Sequence, residues 1–439
     1  MKQAILLFLF LILKYLEILD ITEAVVLTQI YFLATVLVSS SKELAILDLI
    51  GSISVFQWLT MPIFYYSNPN PVQGIELTIM QVESEQYFAY AWPGTIFFLI
   101  GLSFYSPKIN FVRSQNYLLK YKKVLKVMIM TGIATSFIVD LVPLSIKFLF
   151  LILSYFFISG LTGFSLLKEK TKEDKYLIAL AFFSIILKSI IFVMFGELIF
   201  VILIIGLLNI YRLKIPLIKK GLGFLVIVGF VLIIQLIKRP LRELLWIDRV
   251  TTINEVLETS QNAITIEKIL NEDFLQYAIA RFNNGVLVSY VVNRVPTFVP
   301  YANGSTIFDA VLGSFIPRIF WSSKEIAGQS MYHKYTGVAG TASYGISHLG
   351  EGYANFGKTG GIFYMLILGL VFSWLLYQFV CQIDKHPFYI VFLPVILLHG
   401  IKVETELNRS VGFMLRIVVA LYLINFVIKT LSNNKYSIY

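Results

Sequence analysis

Arginine, histidine and glutamate are the side chains here that could grip an anion or move a proton, and four stretches of the second half that carry them stand out. Ala280–Pro300 carries Arg281 and Arg294, and Pro317–Lys324 (PRIFWSSK) carries Arg318 and Lys324. His348–Gly360 (HLGEGYANFGKTG) carries His348 and Glu351, and Lys402–Arg416 carries Glu404, Glu406, Arg409 and Arg416. A guanidinium is a planar fork of donors that stays charged wherever it is placed and grips phosphate oxygens two at a time. Arg409 and Arg416 are seven residues, or two helical turns, apart and share one face. Arg416 falls inside an apolar run, where a charge is costly and points to a substrate or ion site; snorkelling, or an ion pair with Glu404 or Glu406, is the plainer alternative. Arg318, between Pro317 and Trp321, reads as a fixed turn at an interface, or as an ordinary cation at lipid headgroups. Arg281, Arg294 and Lys324 fit a solvated surface equally well. His348 and Glu351 are three apart, and either could take a proton from a hydroxyl if its surroundings tune it; a histidine in a polar loop can also be merely hydrogen-bonded. His333 and His386 are poorer candidates. Lys188 and Glu197 in apolar runs read as an ion pair or as the lining of a cavity.

The elements that must position these groups are apolar. Of the 439 residues 57% are hydrophobic and only 14% charged, with a mean hydropathy of +0.78. That composition excludes a soluble enzyme, in which about a quarter of residues are charged. Against a template of about 20 residues per span, runs appear near 3–20, 24–40, 44–66, 87–105, 124–142, 144–167, 176–194, 197–210, 221–237, 361–381, 387–402 and 410–428. The expected fold is an all-α polytopic membrane protein with about twelve transmembrane helices. Short segments assigned to the cytoplasm hold nineteen Lys and Arg, against two in the short outer loops, which favours cytoplasmic termini and an even span count. The N-terminal apolar run has no small-residue cleavage site before Lys14 and Glu17, so it reads as an uncleaved first helix. Three regions follow: 1–237 with nine spans, 238–360 as a large outer loop, and 361–439 with three spans and a cytoplasmic tail. In the loop, 241–282 has a helix-like pattern and 286–292 is a short apolar piece. The Gly-, Ser- and aromatic-rich 300–360 is expected to be irregular backbone lying close to a ligand.

Several chemistries lack their residues. Neither GxxxxGK[ST] nor GxGxxG occurs, so no recognisable nucleotide cradle is present. Cys381 is the one cysteine, which excludes an internal disulfide and any CxxC site. The net charge of +10 comes from loop cations rather than from a basic groove interleaved with aromatics, so no nucleic-acid partner is expected.

PRIFWSSK, followed by GEGYANFGKTGG running into a new span, resembles the Wzy-type polymerases of bacterial O-antigen and exopolysaccharide assembly, as do the span plan and the large late outer loop. The resemblance implies a multi-pass glycosyltransferase of GT-C-like fold in the bacterial cytoplasmic membrane. It would transfer a growing glycan from polyprenyl diphosphate to a lipid-linked acceptor repeat unit on the outer face. Arg281, Arg318, Arg409 and Arg416 would then hold the diphosphate, with His348 or Glu351 assisting the acceptor hydroxyl. No cofactor is implied, and no metal is expected, because four arginines can neutralise a diphosphate without an ion. Besides the polyprenyl-diphosphate-linked oligosaccharide and membrane lipid, a chain-length regulator and a flippase are implied as partners. An O-antigen ligase shares this plan and differs in its acceptor. A transporter would call for related halves with broken helices, which are not seen, and a non-catalytic scaffold or receptor remains a third reading.

Overall fold

The computed structural model describes residues 2–69, 77–105, 108–109, 111–143, 147–247, 252–264, 272–316, 320–321, 330–338, 344–415, 417–418 and 421–422. Among them there is helix, turn and loop but no strand. Five helices among the described residues are long and apolar enough to cross a membrane: Ile21–Ser39, Ile46–Ser67, Gly196–Leu213, Leu217–Leu245 and Ser347–Lys385. Such helices are compatible with a membrane protein. The other expected runs are largely helical where described but shorter, more polar or more charged. The run 387–402 is not one continuous helix. It is a 3₁₀ stretch, Pro387–Phe392, then the short helix Leu393–Leu397, then turns. Pro387 and Pro394 lack the amide hydrogen that a longer helix would use.

Local chemistry sets the ends of several helices. Asp20 caps Ile21–Ser39 in a reciprocal box with Glu23, its side chain accepting from the Glu23 amide at 2.7 Å. Thr171 and Asp174 form the same box at the start of Lys172–Ile191. Burial alone would raise the Asp174 carboxyl, but Lys122 at 2.6 Å and the hydrogen bonds with Thr171 hold it below the usual carboxylate range. Within the apolar helices, Lys188 and Glu197 pair at 3.6 Å and the Tyr155 hydroxyl donates to Glu197 at 3.3 Å, so the ion-pair reading of these residues holds.

The region 238–360 is helical through much of its described length. Helices cover Ile253–Ala263, Glu272–Phe282, Gly285–Arg294, Ser305–Phe315 and Ser330–Thr336. The expectation of irregular backbone up to residue 360 is corrected most clearly at 347–360, which is helical and largely buried. Its glycines serve packing as well as backbone freedom. Gly357 takes φ 67° and ψ −162°, a conformation open to glycine and strained for other residues, and divides Ser347–Lys385 in two. A Cβ on Gly361 would lie 3.1 Å from the carbonyl carbon of Gly352. Nine residues along an unbroken helix are about 13.5 Å apart, so the chain turns back on itself at Gly357 as a helical hairpin.

Among the described elements the most extensive helix pair is this hairpin against Ser84–Leu102. The two backbones touch. A Cβ on Gly369 would fall 2.2 Å from the Phe98 carbonyl oxygen, and one on Gly101 would fall 2.5 Å from the Leu366 carbonyl oxygen. Small residues at a crossing allow this approach, where helices in lipid gain from van der Waals contact. Around it pack Trp58, Phe98, Phe372 and Leu368, all buried. Gly369→Val should therefore destabilise the chain by at least about 1–3 kcal/mol. Gly229→Val, at a position with open space around it, should have little effect. Thermal unfolding of the purified protein followed by fluorescence-detected gel filtration would check this, and equal midpoints would show that the crossing tolerates a side chain.

Candidate functional site

Two groups of polar side chains are brought together by segments that the sequence separates widely. The first is built on the short arm of the hairpin. Glu351, 1% exposed, accepts from the Thr306 hydroxyl at 3.0 Å on one oxygen and from the Leu407 amide at 2.7 Å on the other. Asn355, one helical turn on, donates to Thr306 Oγ1 and to the Glu351 carbonyl, both at 2.8 Å, and its own Oδ1 accepts from the Gly304 amide at 2.9 Å. The hairpin turn explains the neighbouring backbone bonds. Ala354 and Asn355 carbonyls would bond to amides beyond Gly357 in a continuous helix; here the amides of Ala302 and Asn303 donate to them at 2.9 and 3.2 Å. The segment 302–304 thus straps the helix Ser305–Phe315 onto the turn.

His348 is fully buried, its ring edge-on to Phe372 with centroids 5.7 Å apart, and neither ring nitrogen has a hydrogen-bond partner. The buried Tyr364 hydroxyl is also unpartnered. Orphaned buried polar groups are rare and costly, and they concentrate where function needs them. Ser347, just before His348, holds φ 67°, unusual for a residue with a side chain, and its hydroxyl accepts from the Gly350 amide at 3.2 Å. Of the pair singled out in the sequence, Glu351 is tied into a network reached from three segments, whereas His348 is packed in apolar surroundings.

The second group is cationic. Lys238 and Arg242 lie four apart on Leu217–Arg242 and so share a face. Lys238 is within charge–charge range of Arg242, Arg281 and Glu404, and Arg242 is within range of Arg281 and donates a hydrogen bond to the Tyr344 side chain. Arg281, on the last turn of Glu272–Phe282, donates through Nε to the Tyr277 hydroxyl at 3.1 Å and lies 5.3 Å from that ring's centroid. The segments 344–351 and 402–407 join the two groups. Gly345 lies directly on the backbone of Glu404 and Thr405, Tyr344 is beside Arg242, Glu404 is within range of Lys238, and Leu407 serves Glu351.

Of the expected diphosphate residues, Arg281 is in this cluster. Arg409 lies half-buried on the first turn of a helix at 407–415, five residues past the cluster's Glu404. Arg318, Arg416 and Lys324 fall outside the described residues. Arg294 is set apart, its guanidinium against Gly337 and 5.5 Å from the Phe298 ring centroid. His333 is accounted for by a 2.6 Å contact of Nδ1 with the Val338 carbonyl. Lys238 and Arg242 were missed by sequence reading because the apolar run was ended at 237, whereas the helix continues. The signal was there in KRPLR, a basic pair at i and i+4 leaving an apolar helix. Among the described residues no group of three His, Cys, Asp or Glu side chains is placed to hold a metal ion.

Residues 60–379 match a family model described as a domain of unknown function, DUF8712. No curated protein and no solved structure matches the chain.

Removing the Glu351 carboxylate strands two donors in the interior, and each stranded group costs about 1–3 kcal/mol. Glu351→Ala should lower the thermal unfolding midpoint clearly. Glu351→Gln should lower it less, since an amide can accept from Leu407 and donate to Thr306. Equal losses would mean that side-chain volume, not hydrogen bonding, sets the contribution of this position.

Proposed function

The chain belongs to the DUF8712 family, and from that premise we propose that it polymerises lipid-linked oligosaccharide repeat units on the outer face of a bacterial cytoplasmic membrane. In this reading the chain crosses the bilayer about twelve times, and 238–360 is external together with both polar groups. The observation that carries it is the grouping of Lys238, Arg242 and Arg281, with Glu404 within range of Lys238. Three neighbouring cations, of which Lys238 alone is within range of a carboxylate, Glu404, carry an excess of positive charge, and like charges held together in a partly dry site are unfavourable without an anion. A diphosphate supplies that anion, and forked guanidiniums suit its oxygens.

The division of labour follows. Lys238, Arg242 and Arg281 hold the donor's diphosphate and stabilise the charge that develops on it as it leaves. Glu351 lies across the segment 402–407 from the cations and is the group positioned to accept a proton from the acceptor hydroxyl. The Leu407 amide and Thr306 hydroxyl fix its orientation. The bond from the donor sugar's anomeric carbon to the diphosphate oxygen breaks, and the bond from that carbon to the acceptor oxygen forms. The hydroxyl proton passes to the carboxylate, and polyprenyl diphosphate departs. An O-antigen ligase would use the same donor chemistry with a different acceptor.

Arg242→Ala and Arg281→Ala should each lower polymer formation by roughly 10²–10³, the usual effect of losing one donor to a developing anion. Lysine at either place should restore only part, since it lacks the bidentate fork. The readout is glycan banding in cells complemented with each variant at matched protein level. A ladder collapsed to one capped unit supports a polymerase, and complete loss from the final carrier supports a ligase. Wild-type banding in both alanine variants would remove the cluster from the reaction. Because the cluster neutralises diphosphate by itself, purified protein should extend repeat units in excess EDTA; activity restored only by a divalent ion would overturn that part.

A further inference from the structure

The helix Ser305–Phe315 has two opposed faces. At about 100° per residue, Phe308, Val311, Leu312 and Phe315 form one stripe, and Thr306, Ala310, Gly313 and Ser314 form the face opposite. The second face is turned inward: Ala310 and Ser314 are buried, and Thr306 bonds to Glu351 and Asn355. The first is open, with Phe308 63%, Val311 41% and Phe315 55% exposed. Water is a poor neighbour for three large apolar side chains on one small helix, and a stripe of this kind marks an interaction surface.

Its continuation says what covers it. Gly304, the residue before this helix, lies beside the Phe356 ring at the hairpin turn. Beyond the turn, Phe363, Ile367 and Trp374 lie on one outward face of the second arm, and all are exposed. That arm belongs to one of the five helices apolar enough to cross a membrane, so its outward face is the face that meets lipid. The N-terminal end of Ser305–Phe315 therefore meets the hairpin at Phe356, which is itself exposed, so the stripe begins beside that arm. At the junction stand an exposed Lys358 and Tyr301, whose hydroxyl lies against Gly357. Tyrosine and lysine are the residue types that settle at the headgroup level of a bilayer.

We propose that Ser305–Phe315 lies in the plane of the membrane surface, with Phe308, Val311 and Phe315 in the hydrocarbon edge and Lys358 and Tyr301 at the phospholipid headgroups. Thr306 then makes this helix the wall between lipid and the Glu351 network. Resting on the function proposed above, this places the approach of a lipid-linked substrate sideways from the bilayer, along the helix, rather than down from bulk water.

The test reads depth and not activity, so a failed polymerase reading leaves it intact. In a Cys381→Ser background of the full chain, nitroxide is attached to single cysteines from Phe308→Cys, Val311→Cys, Phe315→Cys, Asp309→Cys and Glu258→Cys. The protein is placed in phospholipid nanodiscs, and power saturation is measured with oxygen, which concentrates in lipid, and with a water-soluble nickel chelate. The expected oxygen-to-nickel ratio is several-fold higher at 308, 311 and 315 than at 309 and 258. A high nickel response at all five sites would overturn the proposal, as would shielding of the three from both reagents that disappears when protein is diluted into excess lipid, which would identify a second copy as the cover.

Discussion

Glu351 holds three distant stretches of the chain together, and the surrounding architecture depends on how its charge is accommodated. A carboxylate taken from water loses hydration worth several kcal/mol, recovered only if each oxygen finds a donor in good geometry. One donor here is a side-chain hydroxyl from Ser305–Phe315 and the other a backbone amide at residue 407. Neither is local in sequence, so the helix 305–315 and the start of the helix at 407 must both arrive for the carboxylate to be buried. Asn355 extends the constraint by satisfying Thr306 and the 302–304 strap together. The network is closed, with each member both fixing and fixed by the next, and a network in that state specifies a single arrangement of its segments.

The cation cluster is the complementary case, in which charge is not balanced from within. Lys238, Arg242 and Arg281 lean on two tyrosine side chains and on Glu404, which is exposed and so contributes through water. Hydroxyl and ring contacts orient guanidiniums without neutralising them. The fold therefore keeps a fully hydrogen-bonded carboxyl at Glu351 and a surplus of cations across the 402–407 segment.

The apolar periodicity of the sequence was legible in the structure wherever a run was long and uninterrupted, as at 21–39 and 217–245. It was legible also at 285–294, where the short apolar piece expected near 286–292 is a helix. The difficulty came from glycine. GEGYANFGKTGG reads as loop because glycine weakens isolated helices, yet here Gly352 and Gly361 admit the two arms of a hairpin to each other and only Gly357 breaks the helix. A propensity scale cannot separate a glycine that ends a helix from one that lets helices touch, since the difference lies in a partner distant in sequence. The cation cluster was half legible for a related reason. Arg281 could be named from its type and region, but its grouping with Lys238 and Arg242 depends on two helices meeting, and no spacing records that. His348 shows the converse, a residue type suited to catalysis that the fold encloses among apolar rings.

One helix and one turn reconcile the demands of a polar site and an apolar surround. The inner face of Ser305–Phe315 carries a hydroxyl and small residues, which let it lie close on the hairpin and complete the Glu351 network. Its outer face carries the large apolar side chains, which would have no room between the closely packed arms. Sorting by size and sorting by polarity thus coincide along eleven residues. The hairpin turn makes that sorting possible. Without the reversal at Gly357 the arm bearing Glu351 would continue straight on from Met365 and Leu368, carrying its carboxylate about 1.5 Å further with each residue from the amide at 407 that it needs. A single backbone conformation open to glycine therefore sets the depth of the carboxylate, the position of the strap and the level at which the aromatic stripe begins.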